Sequence, residues 1–162
     1  LILNHYPLSS INDIDDGLVK VFDKPIMTLK WYGSQKVSLN ALENTIIRPT
    51  FKDPRIHFAL VCAAKSCPRL LNRAYVPGVI DKQLEAQTNK FFRDEAQISY
   101  SQNDKVIRVS KIFEWYRKDF EVSSGSLKAY LYHELAKVRK TTPSTEATVK
   151  FRAYSWKLNQ SP

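Results

Sequence analysis

Glycine is scarce in this chain: four residues in 162. No G-x-G-x-x-G and no G-x-x-x-x-G-K run occurs, which excludes the two common backbone cradles for nucleotide phosphates. Cysteine is scarcer still, with only Cys62 and Cys67. Two cysteines cannot build a disulfide-dense scaffold. No second Cys or His pair stands at zinc-like spacing, so neither metal nor cofactor enters the reading. Long apolar runs are missing too. The longest, Phe58 to Ala64, falls far short of the roughly 20 residues a membrane-spanning helix needs. Acidic residues are in deficit, 16 against 25 Lys and Arg, for a formal charge of +9. That excludes an acidic, calcium-type chain and favours contact with anionic partners. The opening Leu1-Ile2-Leu3 carries neither Met nor a polar leader and reads as a trimmed end. It fixes no compartment, with a periplasmic or secreted one favoured.

What remains is an ordinary globular composition, 43% hydrophobic and 25% charged, of a length that suits one domain over residues 1–162. Pro25 to Tyr32 alternates as a strand does, with Gly33-Ser34 as a turn. Ser38 is placed to cap a helix carrying Leu39, Leu42, Ile46 and Ile47, which Pro49 is expected to stop. Arg55 to Cys62 reads as a central strand with His57 its one polar residue. Pro68 is placed as the first residue of a following helix, which would make Cys67 its cap. A longer helix is expected over Pro77 to Asp94, with Val79, Ile80, Leu84, Phe91 and Phe92 on or near one side. A hairpin follows over Gln97–Tyr100 and Lys105–Val109, then helices over Lys111–Phe120 and Ser126–Val138 separated by Ser123-Ser124-Gly125, and a last strand over Val149–Trp156. Helices mixed with a short, mainly antiparallel sheet make the class α+β.

Cys67 leads the residues that could carry chemistry. At a helix start, unpaired N–H groups and the helix dipole would stabilise its thiolate. Lys65, Ser66, Arg69 and Arg73 surround it in sequence and would make the same turn a small anion site. The competing reading is an inert cap or a bridge to Cys62. Cys62, at the end of a buried strand, behaves most simply as a small hydrophobe. His57 would supply a general base to a thiol nucleophile; in a regular strand it faces away from Cys62, so the turn holding Cys67 is the better partner. The alternative is a core histidine bonded to backbone. Glu43 could orient a histidine or support its own helix. His5 and His133 read as peripheral, and Asp13, Asp15 and Asp16 as a run that solvates or caps a turn. Lys105, Arg108, Lys111, Arg117 and Lys118 interleave with Phe113, Trp115 and Tyr116, a pattern that can bind single strands. Because Ile112, Phe113 and Tyr116 fit a buried helix face, nucleic acid is disfavoured as a partner.

The run Asp53-Pro54-Arg55-Ile56-His57-Phe58-Ala59-Leu60-Val61-Cys62-Ala63-Ala64-Lys65-Ser66-Cys67-Pro68 resembles the signature of the DUF547 family. Leu39 through Arg48 is similar to that family's S-L-x-x-I-E-H-x-I-L-R helix, Lys111 to Phe120 to its I-F-x-W-Y-x-x-D-F segment, and Phe151 to Asn159 to its closing F-x-x-Y-D-W-S-L-N. The resemblance implies a chain lacking the family's first helix, W-x-N-x-Y-N-A-L. It also implies Glu43-Asn44 in place of a Glu-His pair. The name denotes a domain of unknown function, so the resemblance implies a fold and no reaction.

Two functions follow as expectations. One is a thiol-dependent site, with Cys67 and His57 acting in acyl transfer or hydrolysis on a peptide-like ligand, or forming mixed disulfides with a small thiol such as glutathione. The other is a non-catalytic module whose basic surface docks a protein or another anionic partner.

Overall fold

A computed structural model describes residues 1–15 and 17–159. Asp16, expected as part of an acidic capping run, lies outside the described residues. The protein is α+β, with one two-stranded and one three-stranded sheet among the described residues. The chain divides into two compact units, one formed by 1–53, 62–65 and 156–162, the other by 54–61 and 66–155.

In the first unit, β1 (Met27–Leu29) pairs antiparallel with β2 (Gln35–Val37). Gly33 and Ser34 turn the chain between them, both with positive φ, as the sequence predicts. Ser10 and Asp13 form a reciprocal capping box, the Asp13 carboxylate accepting from Ser10 N at 2.9 Å. Asp15 accepts from Val21 N at 2.6 Å. Both acids therefore order a turn around the small core of Ile11, Ile14 and Val21. The tail lies between two other segments: Leu158 N donates to Ser9 O, and Asn159 N donates to Ala63 O, each at 2.7 Å.

Ser38 caps the next helix as expected, its Oγ accepting from Ala41 N at 3.0 Å. Pro49 does not stop that helix. After Leu39–Ala41 the chain widens to a π-helix over Leu42–Ile47 and then continues over Arg48–Phe51. Proline lacks the N–H that would close an α-turn onto residue 45, and the widened register tolerates that loss. Arg48 N bonds Glu43 O in the π pattern. Lys52, in the left-handed region, ends the run.

The second unit holds the main core. Strand β3 (Ile98–Ser101) pairs antiparallel with β4 (Val106–Val109), and β4 pairs parallel with β5 (Thr148–Phe151). The third strand's direction makes this sheet mixed. Its buried face presents Ile98, Ile107 and Val109. Against them pack Phe58, Phe91, Phe92, Phe113, Phe120, Tyr130, Leu131 and Leu135. These come from α4 (Ile80–Arg93), α5 (Ile112–Trp115), α6 (Arg117–Ser124) and α7 (Leu127–Arg139), with Phe58 from a 3-10 turn. Leu84, Phe91 and Phe92 line the inner face of α4, whereas Val79 and Ile80, expected beside them, are exposed. Ser126 caps α7, and Gly125, at φ 77°, closes α6.

Two expectations around the cysteines are corrected. Arg55 to Cys62 is not a strand: Pro54–Phe58 is a 3-10 helix, with Ala59 N and Leu60 N both bonded to Ile56 O at 2.9 Å. An unbroken apolar run carries no period that separates strand from helix, and Pro54 supplies a helical φ at its start. No helix follows Cys67 either. Residues 67–76 form an irregular loop, and helix resumes only at Pro77–Val79 and then α4. Pro68 begins an extended loop segment whose backbone finds its partners on α4 instead.

Candidate active site in the second unit

The 3-10 helix turns His57 inward until it is 3% exposed. Its Nε2 lies 2.8 Å from Asp119 Oδ2. Its ring stacks on Tyr116, with centroids 3.9 Å apart and planes 20° apart, and meets Phe120 at 5.5 Å with the planes tilted by 52°. All three contacts come from one helical face. The chain breaks between α5 and α6 at Tyr116, which serves as cap to both (φ −109°, ψ 24°). Tyr116, Asp119 and Phe120 then stand at i, i+3 and i+4 and project to the same side. Asp119 N bonds Tyr116 O at 3.0 Å, which fixes the turn.

The chemistry of the pair follows from the donor inventory. An ionised carboxylate only accepts, so the imidazole proton resides on Nε2. While the ring is neutral, Nδ1 is an acceptor. Asp119 also favours the charged imidazolium once a second proton arrives. Tyr116 and Phe120 set the plane in which the ring lies.

Cys67 is 6% exposed, and neither it nor Cys62 is in a disulfide. The helix-dipole argument for a low thiol pKa does not apply, since no helix starts at Cys67. One tether holds the Cys67 segment to the His57 segment, and a second holds it to the segment around Ser155. The buried amide of Gln87, on α4, donates to Arg69 O at 2.8 Å and reaches Phe58 O at 3.5 Å. One nitrogen thus touches the residue after His57 and the second residue after Cys67. The other tether is a reciprocal pair: Ser155 N donates to Ser66 Oγ at 2.9 Å, and Ser66 N to Ser155 O at 3.3 Å. Further along the loop, Gln83 accepts from Val76 N and donates to Ala74 O, both at 2.8 Å. Burial pushes the Tyr75 phenol above its ordinary pKa, and Gln87 beside it partly offsets that.

The other sequence candidates fall elsewhere. Glu43, on the π-helix, and Cys62 and Lys65, on a short insert, belong to the first unit, whereas His57 and Cys67 belong to the second. Asn44, where the family pattern has a histidine, accepts from Arg48 at 2.7 Å. Arg69 and Arg73 are exposed on the loop after Cys67. His133 is exposed on α7, and His5 bonds Leu1 O near the chain start. Of the interleaved aromatics, Phe113 is buried and Tyr116 half-buried, but Trp115 is 45% exposed. Lys105 pairs with Glu146 and Lys111 with Glu114, so part of that basic stretch is neutralised. Among the described residues, no three His, Cys, Asp or Glu side chains converge as metal ligands would. No helix among them is long and apolar enough to cross a membrane.

Asp119 is the partner of His57 that sequence reasoning did not single out. Its signal was the Tyr116-x-x-Asp119-Phe120 spacing, which places a carboxylate between two aromatics on one helix face.

The fold and this site define an α+β protein in which a buried histidine pairs with a half-buried aspartate, in the same unit as a thiol-bearing loop. Residues 3–92 match the family described as "Protein of unknown function, DUF547", and the chain belongs to that family. The match takes in His57 and Cys67 and ends before Asp119. Neither the curated proteins nor the solved structures contain a match to this chain.

Proposed function

We propose that the second unit carries a thiol-dependent acyl-transfer or hydrolase centre in which Cys67 is the nucleophile, His57 the base and Asp119 the residue that positions His57. The observation that carries this reading is the His57–Asp119 contact at 2.8 Å, with the His57 ring buried against Tyr116 and Phe120. A histidine whose tautomer is fixed by a carboxylate is the part of a nucleophile–base–orienter set that costs most to build. With Nε2 engaged by Asp119, proton exchange with the thiol falls to Nδ1. In the first step His57 takes the Cys67 proton, Sγ bonds the acyl carbon, and the carbonyl π-electrons move to oxygen. When they return, the bond to the leaving group breaks and His57 gives that group its proton. Water or a second acceptor then takes the acyl group by the same steps in reverse. Mixed-disulfide formation with a small thiol such as glutathione uses the same thiolate but has less need of Asp119.

The near-complete burial of Cys67 favours a second reading, a binding module in which the thiol is a core atom. Alkylation of Cys67 by iodoacetamide across pH 5–10, followed by peptide mapping, separates the two. The catalytic reading expects a midpoint well below the ordinary thiol value of about 8.5, displaced upward in His57→Gln. A midpoint near that value that His57→Gln leaves in place supports the binding module.

A further inference from the structure

Trp115 leaves nearly half its surface in water, and its ring sits 4.7 Å from that of Tyr154 at 53°. A single exposed tryptophan is unremarkable by itself. Its position is what matters. Trp115 precedes Tyr116, the residue stacked on His57. Tyr154 precedes Ser155, which is doubly bonded to Ser66, the residue before Cys67. The ring pair therefore spans from the His57 side of the site to the Cys67 side, within the second unit, through contacts one residue away at each end. Tyr154 packs against the aromatic core, so its ring is held in place.

Resting on the reading of Cys67 as an acyl-accepting nucleophile, we infer that Trp115 and Tyr154 form the acyl-side subsite of this centre and take a planar aromatic group of a peptide-like acyl donor. Tilted aromatic pairs are a favoured geometry, and two rings at 53° offer a third ring one face and one edge. The transferred atoms are those of the proposed centre. Cys67 Sγ bonds the acyl carbon, the donor's carbon–sulfur bond breaks when the donor is a thioester, and the leaving thiolate takes the proton from His57.

The test uses two thioesters of N-acetylcysteamine, 3-phenylpropionyl and propionyl, with the full chain. Cys67-dependent thiol release is read against Cys67→Ser, and the acyl group is located by peptide mapping. The expected result is about tenfold faster transfer of the phenylpropionyl group, the scale of one aromatic pair. That ratio should fall to near one in Trp115→Ala and keep several-fold preference in Trp115→Phe. Tyr154→Ala should lower it as well, which guards against one variant that fails to fold. Equal rates for the two donors in the unaltered protein overturn the subsite and leave the nucleophile standing. So does a preference that survives both alanine variants. Failure of both donors to label Cys67 overturns the nucleophile, and the subsite with it.

Discussion

Replacing Gln87 with Met tests how the site is assembled. Gln87 is 3% exposed, and Met conserves most of its volume, so the packing cost is small. What is lost is the amide donor. The bond to Arg69 O at 2.8 Å is of full strength, and its loss leaves a part-buried carbonyl unsatisfied, at about 1–1.5 kcal/mol. The contact to Phe58 O at 3.5 Å lies at the limit of a hydrogen bond and adds about 0.5 kcal/mol. Together they make about 2 kcal/mol, or a melting temperature lower by about 4–8 °C for a chain of this size. The loss falls on the loop that carries Cys67, so opening there should exceed opening elsewhere. Trypsin reports this directly, because Arg69 and Arg73 lie on the loop. Cleavage after them should quicken by up to about 30-fold if the whole 2 kcal/mol appears as local opening. A Met variant that melts within 1 °C of the parent and is cut at the parent's rate would refute the idea that one amide ties the His57 and Cys67 segments together.

Two further outcomes test the second unit's framework. Phe113 is fully buried among Phe58, Phe91, Phe92, Phe120 and Tyr130. Phe113→Ala should cost about 3–5 kcal/mol in denaturant unfolding, and a cost under 1 kcal/mol would mean that this cluster is not the core. Lys137 joins Glu85 of α4 to the buried Glu134 of α7 at 2.8 and 2.7 Å. Burial lowers its pKa, but the bonds to Glu134 and Glu85 outweigh that and leave it raised above 10.5. A raised lysine contributes stability that is fully present below its unfolded value and lost as pH rises through its folded one. Lys137→Met should therefore lower stability by about 1 kcal/mol, a value discounted for the third of the side chain in water. The difference should stay constant from pH 7 to 9 and close only above about pH 10.5. A difference that already shrinks between pH 7 and 9 would contradict the assigned direction.

The parts of the fold that sequence made legible were those with a local cause. Ser38 and Ser126 cap helices because a hydroxyl before an apolar period does so in most contexts. The β3–β4 hairpin and α4 follow from alternation and helical spacing. Pro49, Pro54 and Pro68 were harder, because proline fixes its own φ and leaves the next residues to tertiary context. At Pro49 the helix widened and carried on. At Pro54 an apolar run coiled where a strand was expected. At Pro68 no helix formed, since side-chain amides from Gln83 and Gln87 satisfy the loop backbone. The site was half legible. His57 and Cys67 stand out by residue type, ten positions apart, and both lie in the second unit. Asp119, 62 residues beyond His57, could be reached through the helix-face pattern around it and through its place in the family-like I-F-x-W-Y-x-x-D-F segment. Lys65, Arg69 and Arg73 were read as positive charge beside Cys67 in sequence, and the helix start expected to add a dipole to that charge does not exist.

The central claim is that Asp119 acts on Cys67 only through His57, and a double-mutant cycle on Cys67 alkylation at pH 7 measures it most directly. Residues acting as one unit are non-additive. Asp119→Asn should slow alkylation by about tenfold in the parent, roughly 1.4 kcal/mol of lost imidazolium stabilisation. In a His57→Gln background the same change should have no further effect. Equal slowing in both backgrounds would show that Asp119 and His57 do not act in series on the thiol, and the account would be wrong.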